Sequence, residues 1–290
     1  MSDPDTLKSV TATGTVKVAT GLLLVKLVTW LATGSSGVLG STLDSGLDLL
    51  ASLIVLWAVL HAERPADADH PWGHGKAEGL AALFQSLLIF TSGAGLALQV
   101  VRRMLHGDAV VERHWAGMAV MLLSTAVTIW WVRRLRAAAR EAGSPALEAD
   151  SAHYATDVLL NLGVIAGLAA STLFGGEAWP DLVVGLGIAA VILNSAREVF
   201  LAGIENLMDR GLEPEQEAAL LRVVAEYAPQ VRGFHELRAR RSGAETFLEL
   251  HLDLDRDLSF IAAHDLSEEV GLAIEAALPR CRATVHADPL

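Results

Sequence analysis

Apolar residues fill six long runs, at 10–33, 38–61, 79–101, 116–132, 147–174 and 182–203, and then the pattern changes. About 20 apolar residues suffice for a helix to cross the hydrocarbon core of a bilayer. Each run is therefore read as a membrane-spanning helix. The first is the weakest, because it contains Lys17 and Lys26. Lys26 lies near mid-span, where a charge is costly unless it faces the bundle or snorkels. A short turn at Gly34-Ser-Ser-Gly37 leads into the second run.

From Asp209 the period shortens and mixes. Residues 213–227 read as an amphipathic helix, with Pro214 in the first turn where proline is tolerated. Residues 234–240 alternate, Ser242-Gly243 supplies a turn, and Phe247-Leu-Glu-Leu-His-Leu-Asp-Leu254 alternates strictly. Strict alternation marks a half-buried strand. Residues 259–278 return to helical spacing, stopped by Pro279, and 283–286 form a last short strand. The order α-β-β-α-β predicts a small layered α+β domain with helices on one face of a sheet. The expected architecture is a polytopic α-helical membrane domain of six transmembrane helices, residues 1–208, followed by a C-terminal α+β domain, residues 209–290.

Composition agrees with two regions in different solvents. The 290 residues are 52% hydrophobic with a mean hydropathy of +0.40, and the apolar excess lies in the first two thirds. The net charge of −12 argues against nucleic acid, whose partners need a basic surface. The acidic excess lies partly in the tail and would attract cations. The single Cys281 excludes an internal disulfide framework and a multi-cysteine zinc site, and reads as a small packed residue. The start of the chain lacks the cleavage pattern of a signal peptide.

Loop charges give an orientation. The fourth–fifth loop holds Arg133, Arg134, Arg136 and Arg140, and the second–third holds Arg64 and Lys76. The first–second and fifth–sixth loops contain no Lys or Arg. Positive charge favours the cytoplasmic side, so both termini are expected there. Arg102, Arg103 and Arg113, between the third and fourth runs, run against this assignment and are outvoted.

Ionisable residues inside spans mark function by default. Asp44 and Asp48 lie in the second run, and His153 and Asp157 in the fifth. Each pair is spaced four residues apart, which places both side chains on one helix face. If the two helices touch, three carboxylates and one imidazole converge. Four nitrogen and oxygen ligands suit tetrahedral Zn²⁺, with Fe²⁺, Cd²⁺ and Co²⁺ also admissible; an all-oxygen set would favour harder ions. Asp150 and Asn161, one turn outside on the same face, read as cavity lining or support.

Two further clusters carry metal-ligand chemistry. Asp67-Ala-Asp-His70-Pro-Trp-Gly-His74 could fold Asp67, His70 and His74 around one cation, or be a solvated polar loop. Neither Lys76 nor Glu78 beside it looks like a ligand. The tail holds His235, His251, His264, His286 and Asp288, which fit a His/Asp metal site of one or two ions, although any one of these histidines alone reads as an ordinary surface residue.

These residues, in this order, resemble the cation diffusion facilitator family, especially its bacterial zinc/ferrous-iron efflux branch. The likeness spans nearly the whole chain. It rests on Leu43-Asp44-x₃-Asp48, His153-x₃-Asp157, His70-Pro-Trp-Gly-His74-Gly-Lys76-Ala-Glu78, Leu207-Met-Asp209-Arg210 and Val285-His286-Ala-Asp288-Pro289. The resemblance implies a six-helix membrane domain and a metallochaperone-like cytoplasmic domain. It implies a homodimer in the inner membrane that exchanges a cytoplasmic divalent cation for protons by alternating access, with no organic cofactor. Asp44, Asp48, His153 and Asp157 would form the transport site, with histidine in the fifth helix typical of zinc-type members. Asp67, His70 and His74 would form a loop site. His235, His251, His264, His286 and Asp288 would form a cytoplasmic binuclear site that helps hold the dimer. Lys76 and Asp209 would form a charge pair near the membrane surface. Ala287 stands where some relatives have a polar residue.

Two other classes compete. A membrane metallohydrolase would need an open metal position and a carboxylate base, and no HExxH stretch is present. A membrane-anchored metal sensor would explain the tail but not four ionisable groups within two spans. A non-enzymatic antiporter is the expected function.

Overall fold

In the computed structural model, residues 4–34, 36–106, 115–174 and 179–290 are described. Ser35 of the expected turn and Arg113 lie outside them. Six long helices come first: α1 Pro4–Thr33, α2 Ser36–Ala62, α3 Lys76–His106, α4 Trp115–Ala142, α5 Pro145–Leu173 and α6 Trp179–Leu207. The tail adds α7 Pro214–Glu226, β1 Val231–Ser242, β2 Glu245–Leu254, α8 Phe260–Ala277 and β3 Cys281–Pro289. The α-β-β-α-β order expected from the period changes is thus present. Among the described residues, four helices are long and apolar enough to cross a membrane: Thr6–Thr33, Val38–Ala62, Lys76–Leu105 and Trp179–Leu207. The other two, α4 and α5, carry Arg133, Arg134, Arg136 and Arg140, and Glu148, Asp150, His153 and Asp157 respectively. Six spans were expected; the length-and-apolarity criterion is met by four.

The chain divides into two compact units. One contains Met1–Arg64 and Ala77–Ile204, and the other Pro65–Lys76 and Glu205–Leu290. In the first unit, α1, α2, α4 and α5 share a core that includes Ala12, Val55, Trp131, Leu135, Leu147 and Tyr154. Gly14 allows the close approach of α1 to α4, since a Cβ there would stand 2.6 Å from the Trp131 ring. A smaller core of Ile89, Ile192 and Ala196 joins α3 to α6.

One polar contact set pins the starts of three helices. Lys8 Nζ of α1 donates to Glu78 Oε1 of α3 at 3.2 Å, and both side chains are buried. Ser144 Oγ, which accepts from the Leu147 amide at the start of α5, donates to Glu78 Oε2. Pro145 begins the helix where its missing N–H costs nothing. Removing one partner of a buried ion pair typically costs about 3–5 kcal/mol. Glu78→Ala should therefore lower the thermal midpoint of the detergent-solubilised protein markedly, whereas a surface change such as Glu268→Ala should leave it within a degree or two.

The tail is built around β2. It pairs antiparallel with β1 and parallel with β3, giving sheet order β1-β2-β3. Leu248, Leu250, Leu252 and Leu254 point to one face and are buried against α7 and α8 through Leu220, Val224, Val270 and Ile274. Gln216 accepts from the Glu213 amide at 3.0 Å to start α7, and Ser259 accepts from the Ala262 amide at 3.2 Å to start α8. Cys281 is buried at the start of β3, where burial pushes its thiol up to about 11. It is a packing residue. The opposite face of β2 carries Glu249, His251 and Asp253.

Candidate functional site

Helix periodicity places Asp48 on α2 and His153 and Asp157 on α5, and a second contact holds the helices together there. Ser52, one turn beyond Asp48, donates to the Asp48 carbonyl at 2.9 Å. Its oxygen lies 2.8 Å from the Tyr154 hydroxyl, which therefore donates to it. Tyr154 neighbours His153, so this bond sets the depth at which the imidazole meets Asp48. His153 Nε2 stands 3.4 Å from Asp48 Oδ1. Donor atoms of Asp48, His153 and Asp157 all lie within 4.8 Å of one another.

The chemistry of this group points to a cation. Both ring nitrogens of His153 are buried; Nδ1 has no hydrogen-bond partner among the described residues, and Nε2 has only the long contact with Asp48. A buried polar atom without a partner is costly and calls for an explanation. A divalent ion held by the imidazole and two carboxylates would supply one. Asp44 lies one turn earlier on α2, on the same face as Asp48, but is exposed and outside this close group. Asp150 is fully buried and accepts from Gln85 Nε2 of α3 at 2.9 Å. Asn161 is half-buried one turn beyond Asp157.

The loop residues form a second group, inside the unit that contains the tail. The Asp67 carboxylate accepts from the His70 amide at 2.7 Å and the Asp69 amide at 3.0 Å. These bonds, the His70 amide foremost, hold its carboxyl below the usual carboxylate range. His70 Nδ1 is 3.5 Å and His74 Nε2 3.3 Å from the two Asp67 oxygens. The three residues could hold one cation. The same loop is fastened to the β1–β2 hairpin. Arg240 lies 3.5 Å over the Trp72 ring, and Trp72 meets Phe247 edge-on at 5.3 Å. Gly75 packs so closely that a Cβ there would come within 2.3 Å of the Ser242 carbonyl oxygen. Lys76 Nζ sits 2.9 Å from Asp209 Oδ1 and donates to the Leu207 carbonyl at 3.2 Å.

The third group lies on the open face of the sheet. Strand register aligns His235 with His251 and His251 with His286, one histidine per strand. A register shift in β1 follows His235, with Glu236 at a φ of 50°. Such bulges re-aim neighbouring side chains. Asp288 gathers all three imidazoles: His251 Nδ1 at 3.0 Å, His235 Nε2 at 3.2 Å and His286 Nε2 at 3.2 Å. The hydrogen bond with His251, above all, holds the Asp288 carboxyl below its ordinary range. Donor atoms of His235, His251 and Asp288 lie within 4.8 Å of one another. His264 is placed apart on α8, its ring parallel to Phe260 with centroids 6.5 Å apart.

Sequence reasoning missed Asp253. Its Oδ1 accepts from His235 Nδ1 at 2.9 Å, which leaves Nε2 facing Asp288. Metal-bound histidines commonly donate their second N–H to a carboxylate in this way. The signal was available, because Asp253 follows His251 by two on a strictly alternating strand. The Trp72–Arg240 contact was also missed, and no local pattern could have revealed it.

Comparison with known proteins accounts for both halves of the chain. Residues 15–208 match the cation efflux transmembrane domain, and residues 212–290 the cation efflux protein cytoplasmic domain. The cation-efflux pump FieF of Cronobacter sakazakii is 36% identical over 272 residues, covering 94% of this chain and 89% of the relative. That of Shewanella oneidensis is 36% identical over 275 residues, covering 95% and 92%. A solved chain of the transporter CzrB in a zinc form is 34% identical, covering 28% of this chain and 92% of its own, with a TM-score of 0.26. The chain therefore belongs to the cation diffusion facilitator family, as a multi-pass membrane transporter of the cation-efflux type.

Proposed function

We propose that this transporter exports a zinc-type divalent cation from the cytoplasm in exchange for protons, by alternating access. Asp44, Asp48, His153 and Asp157 are the transport site. The observation that carries this reading is the buried imidazole of His153, its donor atom grouped within 4.8 Å of those of Asp48 and Asp157. One nitrogen among carboxylate oxygens favours Zn²⁺, with Fe²⁺, Cd²⁺ and Co²⁺ as competitors. Asp44 is separated from the close group by a turn of α2, so a small rotation of that helix would add or remove a ligand.

Exchange follows from sharing one site. A metal needs ionised carboxylates and a neutral imidazole, so binding expels protons. Protons arriving from the outer side compete for the same atoms and release the ion. The loop group Asp67, His70 and His74 binds a cation at the foot of the tail. The tail group of His235, His251, His286 and Asp288, with His264 as an outlying member, holds Zn²⁺ and steadies a homodimer. Lys76 and Asp209 clamp the loop to the end of α6. The protein lies in the inner membrane with both termini in the cytoplasm, as the arginines in the last turns of α4 favour.

A metal-competition series in inverted membrane vesicles tests this. Uptake of labelled Zn²⁺ should be inhibited by Fe²⁺, Cd²⁺ and Co²⁺ and hardly at all by Mg²⁺ or Ca²⁺. Stronger inhibition by Mg²⁺ than by Cd²⁺ would rule out the nitrogen-containing site.

A further inference from the structure

Lys26 lies within an apolar span of α1. Its ammonium donates to Ser45 Oγ at 2.6 Å and to the Ser41 carbonyl at 3.4 Å, both on α2. Ser45 is only 2% exposed, follows Asp44 directly, and precedes Asp48 by one turn. The two acceptors are neutral, and a charge at membrane depth needs compensation. The two α2 residues that hold it flank Asp44 in sequence, and Asp48 follows Ser45 by one turn. The tether to Ser45 thus fixes a positive charge beside the residues read above as the transport site.

We infer that Lys26 is a built-in counter-cation of the transport site, a positioning residue that fits the site's charge to a divalent ion and speeds the ion's release. This rests on the transport-site reading. Asp44, Asp48 and Asp157 carry three negative charges when ionised. A divalent cation cancels two and the ammonium cancels the third, so the loaded site is neutral in a low-dielectric surrounding where net charge is costly to move. A monovalent ion leaves the site negative, and a trivalent ion leaves it positive. The ammonium also repels the bound ion, which weakens ground-state binding without weakening passage. Deeper ground-state binding lowers KM and slows turnover together.

The test uses the full-length protein in proteoliposomes at a fixed proton gradient, with Zn²⁺ as the transported ion. Lys26→Gln keeps an N–H donor toward Ser45 and removes the charge, whereas Lys26→Arg keeps the charge. The expected result is a KM for Zn²⁺ lowered on the order of tenfold in Lys26→Gln, with kcat reduced at least as much. Lys26→Arg should stay within about threefold of the parent in both. Ser45→Ala, which frees the ammonium without removing it, should shift KM and kcat in the same direction but less. Parent-like kinetics in Lys26→Gln would overturn the inference. So would equal loss of rate in Lys26→Gln and Lys26→Arg at unchanged KM, the signature of a packing role. If Lys26→Gln does not assemble, unchanged KM and kcat in Ser45→Ala overturns it instead. Asp48→Asn separates the two levels. An inactive Asp48→Asn beside a parent-like Lys26→Gln sinks the Lys26 role alone, while an active Asp48→Asn sinks the transport site and the Lys26 role with it.

Discussion

Replacing Asp48 by Asn should abolish metal efflux while leaving metal binding by the tail intact. The amide keeps the size and shape of the carboxylate, so the Ser52 bond to the Asp48 carbonyl and the Ser52–Tyr154 bond survive. What disappears is the charged oxygen 3.4 Å from His153 Nε2. A structural zinc site of four ligands gains about 10–16 kcal/mol from metal, or about 3 kcal/mol per ligand. Losing one such ligand corresponds to a fall in affinity on the order of a hundredfold. Asp157→Asn should behave alike, because its donor atom belongs to the same close group. Asp44→Asn tests a different point. Asp44 lies outside that group, so a milder loss would mean that it ligates in only one of the alternating states. Initial rates of Zn²⁺ uptake into proteoliposomes, beside equilibrium binding in detergent, would read all three.

In the tail, His251→Ala should remove high-affinity metal binding, by on the order of a hundredfold. His251 is the middle of the row, aligned with His235 on one side and His286 on the other, and its loss also removes the hydrogen bond to Asp288. His264→Ala should cost far less, because that ring lies on α8 against Phe260. Acid should act like the mutation. Asp288 is held below the ordinary carboxylate range, chiefly by His251, so it stays ionised throughout the neutral and mildly acidic range. Protons and a metal compete for the same imidazole nitrogens. Metal affinity of the tail should therefore fall on acidification while Asp288 is still ionised. The lowered carboxyl makes its own contribution to stability of the metal-free tail. That contribution is present above the ordinary carboxylate range and is lost only in stronger acid, as pH falls through the lowered value. Isothermal titration with Zn²⁺ across pH 5–8 would separate the two effects.

The groups that a sequence reader could place are those fixed by short-range periodicity. Asp48 and its α5 partners follow from helical spacing within apolar runs, and the buried leucines of β2 follow from alternation. The order of elements in the tail was legible for the same reason. What escaped depends on contacts distant in sequence. Asp253 joins the metal face only because β1 brings His235 alongside it. His264 was grouped with the other histidines on composition, although helix α8 carries it away from Asp288. The loop around His70 and His74 packs with the tail through Trp72, Arg240 and Gly75, residues whose local sequence carries no sign of each other. Lys26 looked like a flaw in the first span, and its partners on α2 give it a place.

Zinc flux into proteoliposomes across an imposed proton gradient distinguishes coupled exchange from uncoupled passage. With the interior acidic, coupled exchange should accelerate Zn²⁺ entry and simultaneously alkalinise the lumen, and Asp48→Asn should lose both. Zn²⁺ entry of unchanged rate after a protonophore collapses the gradient, with no lumenal pH change, would contradict it.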